Sequence, residues 1–62
     1  MVKVKNLATG SKIVLGEHVL RVDSITVRAD MGKIILELYL QNVGIHNYLM
    51  FNPNDDVELY WL

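Results

Sequence analysis

The chain has 62 residues, no cysteine, a formal net charge of −1 and 52% hydrophobic residues. A length this short predicts one domain whose folding buries only about 60% of its unfolded surface, with neither a disulfide nor a thiolate metal site to staple it. The absent positive excess argues against duplex nucleic acid, whose affinity rests on several Lys or Arg contacts to phosphate, and no apolar run approaches the ~20 residues that span a bilayer.

The basic residues all lie in residues 1–33, which carry +3, while residues 34–62 carry −4 and no Lys or Arg. Met1-Val2-Lys3-Val4-Lys5 alternates, unlike the continuous apolar run of a signal peptide, so no targeting segment is expected and a soluble, cytoplasmic protein is. Val2 and Val4 predict a short first strand. Leu7 anchors the turn that follows, and Gly10 suits a turn position of positive φ. Lys12 to Leu15 is the next strand, with Ile13 and Leu15 inward, and Gly16-Glu17 makes a tight hairpin turn.

From His18 to Ala29 the chain is rich in β-branched residues, but its parity changes within the run: Leu20 and Val22 share one face, and Ile25 and Val27 fall out of phase with them. Such a change of phase predicts a bulge or bend, placed here at Asp23-Ser24. Asp30-Met31-Gly32 is a turn, and Lys33 to Asn42 is the longest alternating stretch, with Ile34, Leu36, Leu38 and Leu40 on one wholly aliphatic face. After Gly44, Ile45 to Phe51 alternates again, with Leu49 and Phe51 on the buried side; Asn52-Pro53-Asn54-Asp55 is a polar turn. Val57 to Leu62 is the last strand, with Val57, Leu59 and Trp61 inward. No substantial helix is expected, and the fold class is all-β.

Asn6 to Val22, with its leucine, two residues, glycine, strand, tight turn and strand, resembles the opening of the KOW-like first domain of elongation factor P. The stretch from Val43-Gly44 through Phe51, the polar turn and Val57-Glu58 is similar to the end of that domain. The resemblance implies a five-stranded antiparallel barrel of the Src-homology-3-like type. In that family the hairpin before the long strand is glycine-rich and carries a basic residue toward the ribosome. Here Arg28-Ala29-Asp30-Met31-Gly32-Lys33 is shorter and lacks the proline-glycine frame, and the family's later domains are not expected, so a translation role is not expected to carry over.

Chemistry-bearing constellations are sparse. His18 and His46 have no close ligand spacing and would need Asp23 or Glu37 to converge from elsewhere, so no metal and no cofactor are expected. Ser11 and Ser24 sit at turn and bend positions, and a barrel this small fills its own interior, so no catalytic residue is expected and the chain is read as non-enzymatic.

The face that should meet water is too apolar. Ile35, Tyr39, Tyr48, Met50, Tyr60 and Leu62 fall on it, and a contiguous apolar patch marks an interaction surface. Two function classes follow. One is a binding module that forms a homo-oligomer or docks on a protein partner through that face, in the manner of a small phage or mobile-element protein that inhibits a host factor. The other is an oligomeric protein that sequesters a nucleotide or short oligonucleotide at a subunit interface lined by Arg21, Arg28, Lys33 and Tyr39.

Overall fold

The computed structural model describes residues 1–61; Leu62, one of the expected interface residues, lies outside the described residues. The strands are β1 (Val2–Lys3), β2 (Lys12–Leu15), β3 (His18–Arg28), β4 (Lys33–Leu40), β5 (Ile45–Phe51) and β6 (Asp56–Leu59). The all-β reading holds: among the described residues the one helical element is a 3-10 turn over Val4–Asn6, where the predicted first strand stops early.

All pairings are antiparallel, in the order β1-β6-β2-β3-β4-β5. The sheet therefore has six strands, not the five of the expected barrel, and among the described residues its end strands β1 and β5 do not pair with each other. The expected hairpin at Gly16-Glu17 is present; Gly16 takes φ 61° while Glu17 does not turn positive, the signature of a type II′ connection.

β3 and β4 set the shape. Val22 pairs with Leu38 and Ser24 with Glu37, so Asp23 is an extra residue with no partner, at the expected bulge. The bulge restores the parity of β3: Leu20 and Val22 before it, and Ile25 after it, all face the aliphatic side of β4. It also bends the sheet over the core, which consists of Val4, Ile13, Leu20, Val22, Ile34, Leu36, Leu38 and Val57. Val4 reaches that core because its N–H donates to the Asp55 carbonyl at 2.9 Å, and Lys5 N–H to the Pro53 carbonyl at 3.0 Å, docking the 3-10 turn on the polar turn before β6.

Two expected core residues lie outside it. Leu49 is 42% exposed and Trp61 81% exposed. Both have the inward parity, but β5 is the end strand and among the described residues nothing closes over its inner side, while β6 ends at Leu59 before reaching Trp61. Leu40, Phe51 and Leu59 are half-buried against the core, as expected of inward residues near the sheet margin.

Leu36 is fully buried at the centre of this small core, so Leu36→Ala is expected to cost about 2–5 kcal/mol, much of what a domain this size has, and a urea melt checks it. Deleting Asp23 removes the extra residue, so Val22, Ser24 and Ile25 alternate regularly against Leu38, Glu37 and Leu36 and both halves of β3 keep their apolar residues inward, while the bulge and its bend are lost. The deletion is expected to retain a folded β circular dichroism spectrum, and its loss would show that the bend, beyond the parity it restores, is needed to close the core.

Candidate functional site

On the outer face, residues from neighbouring strands line up in rows set by the register. One row runs Lys12, Arg21, Tyr39 and His46 across β2 to β5; the next joins Ser24, Glu37 and Tyr48; a third joins Thr26, Ile35 and Met50. The first two rows form a connected polar cluster. The Arg21 guanidinium lies over the Tyr39 ring, 4.9 Å from its centroid, and on the other side the His46 ring is 4.6 Å from Tyr39 at 42°. Arg21 Nε donates to Asp23 Oδ1 at 2.6 Å, Ser24 Oγ donates to Glu37 Oε1 at 3.0 Å, and His46 Nδ1 lies 3.4 Å from Glu37 Oε2 and 3.6 Å from Asp23 Oδ2. The bulge makes this cluster, because it turns Asp23 and Ser24 to the same side.

The hydrogen bond from Arg21 holds the Asp23 carboxyl below its ordinary range, and Asp23 in turn raises the Arg21 guanidinium. Arg28 and Asp30 form a like pair, with Nη2 to Oδ2 at 2.9 Å and the same two directions of shift, again led by the hydrogen bond. Lys33 Nζ donates to Asn52 Oδ1.

The four residues expected to line a nucleotide site therefore separate. Arg21 and Tyr39 are adjacent, but Arg28 and Lys33 pair at the far end of the β3–β4 ribbon, roughly 20 Å along the strand at ~3.3 Å per residue. Each of the three cations already holds a protein oxygen.

The expected interface residues separate as well. Ile35 and Met50 are directly opposed on β4 and β5, with Tyr48 beside Glu37 in the next row and Tyr39 beyond it. Tyr48 is 68% exposed and Met50 49% exposed, whereas Ile35 and Tyr39 are half-buried. Tyr60 is elsewhere. It follows β6, its N–H donates to the Lys12 carbonyl at 2.9 Å, and three strands (β2, β3 and β4) lie between β6 and β5. The expected contiguous patch therefore does not include Tyr60, because the last strand returns to pair with β2 and β1. Tyr60 instead borders a shallow depression of about 280 Å³ lined also by Lys12, Glu17, Val19, Gln41 and Asn42.

Reasoning from the sequence named Asp23, Glu37 and His46 but left them apart; the turn Gln41–Gly44 fixes the β4–β5 register that sets Tyr39 against His46. Among the described residues no group of three or more His, Asp or Glu is arranged to hold a metal ion, and no helix is long and apolar enough to cross a membrane. Comparison with protein-family models, with curated proteins and with solved structures finds no match to this chain.

A carboxyl with a depressed folded pKa stabilises the fold above its unfolded value, about 3.9, and that stabilisation is lost as pH falls through the folded value. Asp23 and Asp30 both have this sign. The chain is expected to lose stability on acidification below about pH 4, and Asp23→Asn to flatten that part of the curve, as denaturant midpoints measured across the acid range will show.

Proposed function

We propose that the chain is a non-enzymatic binding module that docks on protein through the outer side of β4 and β5. Ile35, Tyr48 and Met50 form the apolar contact, and Tyr39 stands at its polar margin. The observation that carries this reading is the exposure of Tyr48 and Met50, side by side with Ile35, on a strand where every residue except Phe51 is exposed. Tyrosine and methionine are favoured where proteins meet, and an apolar patch rimmed by polar groups is what such a surface looks like. The cluster around Tyr39 supplies that rim, and Arg21 and His46 hold the ring before any partner arrives, which lowers the ordering cost of binding.

The fold proposed for the module is an open relative of the Src-homology-3-like, KOW-like barrel. Support comes from the meander β2-β3-β4-β5 and the return of β6 to pair with β2, with the long second strand of the meander bent at its bulge. The nucleotide-binding alternative has less support, since its cations are divided between two ends of a ribbon and each is already paired with a protein oxygen.

The test is native mass spectrometry of tagged protein from the cells that make it, using wild type and the Ile35→Glu, Met50→Glu double variant. The wild type is expected above its bare mass of 7.1 kDa, as a complex with protein of defined stoichiometry. The variant is expected alone, with an unchanged circular dichroism spectrum. Bare wild-type chain, or a variant that keeps its companion, contradicts the proposal.

A further inference from the structure

We propose that a second copy of the chain takes the β5 margin of this surface, leaving Ile35 on β4 outside the contact, joined by antiparallel pairing of β5 with β5 about a two-fold axis that passes beside Tyr48. The proposal rests on the reading of β4 and β5 as a docking surface and specifies both the partner and the register.

The end strand is built for pairing. β5 is seven residues long, pairs only with β4 among the described residues, and leaves a row of backbone N–H and C=O groups along its other side. Edges of this kind are ordinarily blunted by lysine, proline, a bulge or brevity. β5 has none of these: its register with β4 is unbroken, and Ile45-His46-Asn47-Tyr48-Leu49-Met50-Phe51 contains no Lys, Arg, Asp, Glu or Pro. The opposite edge is protected by its length, since β1 is only Val2–Lys3, and Lys3 is tied to Asp56 at 2.9 Å. Pairing β5 with β1 in an endless chain therefore has little backbone to use, whereas β5 with β5 closes after two copies.

Symmetry selects the register. Two antiparallel edge strands in one continuous sheet are related by a two-fold axis perpendicular to the sheet, which keeps inner faces with inner faces. Opposed residues must then share parity, and the one register of that kind that uses the whole strand sets Tyr48 against Tyr48. It also sets Ile45 against Phe51, His46 against Met50 and Asn47 against Leu49. Apolar residues meet apolar or uncharged ones, and no two like charges are opposed. Ile45, Tyr48, Leu49 and Met50 are exposed on this end strand, and Val43 in the turn before it; covering most of them buries on the order of 1,000 Å² over both copies, the lower bound of a specific interface.

The chain has no cysteine of its own, so single cysteines report contacts without background. Under mild oxidation, Tyr48→Cys is expected to cross-link to itself, and a mixture of His46→Cys with Met50→Cys to form the mixed dimer. His46→Cys, Met50→Cys and Ile35→Cys are each expected to stay uncross-linked when alone, because directly opposed residues sit close enough for a disulfide and residues four positions off do not. The mixed pair leaves Tyr48 in place, so it stands even if Tyr48→Cys weakens the contact. Sedimentation of the wild type at tens of micromolar should give twice 7.1 kDa. A monomer there overturns the second copy while leaving docking on another protein to its own test. A dimer that cross-links through Ile35→Cys or Met50→Cys alone overturns edge pairing in favour of packing face to face.

Discussion

The structure depends on the pairing of β3 with β4 and on the single unpaired residue within it. A strand has a period of two, so an eleven-residue β3 can keep an apolar side against β4 along its length only if its sequence alternates without a break. It does not: Val22 and Ile25 are three apart, and both must be inward. The extra residue Asp23 absorbs the mismatch, bends the sheet over Leu36 and Leu38, and turns a carboxylate outward beside Arg21. One backbone irregularity thus shapes the core and the polar cluster on the opposite side.

Core and surface are linked again at β5. Among the described residues eight form the buried core, and the β5 side chains contribute none of them. Phe51 packs against the core from its margin, and the rest of the strand is held by its ladder to β4 and little else. A strand so placed is weakly sheltered on both faces and along one edge, yet it carries Ile45, Tyr48, Leu49 and Met50 exposed. Such side chains in water gain nothing for the monomer, at about 25 cal/mol per Å² of apolar surface left unburied, and they are what a partner would cover. The neighbouring cluster of Arg21, Asp23, Glu37, Tyr39 and His46 interlocks through ion pairs and stacking, which makes it a rigid margin and not a free charge field.

Much of this was legible in the residues. The parity change at Asp23-Ser24, the turn at Gly16-Glu17 and the aliphatic side of β4 are local patterns, and local patterns survive folding. What the residues could not show is which strand ends the sheet. Leu49 and Trp61 have the alternation of buried positions, but alternation reports a side of a strand, and burial needs something facing that side. The same ignorance of strand order grouped Tyr60 with Tyr48 and Met50, although β6 returns to β2. For the basic residues, Asp23 stands two positions after Arg21, a spacing that puts both on one side of a strand, so that pair was within reach of sequence reasoning, whereas Asp30 meets Arg28 from the turn after β3. The link from Lys33 to Asn52 spans the β4–β5 hairpin and was not.

Backbone exchange at β5 tests the account most directly. On a free edge the outward amides of Ile45 to Phe51 exchange quickly, being bonded only to water. If β5 is where two copies join, hydrogen exchange of those amides is predicted to slow as protein concentration rises from about 1 µM to about 100 µM, while the amides of β2, paired on both sides within one copy, keep the same rates. Rates at β5 that are fast and independent of concentration across that range would contradict it.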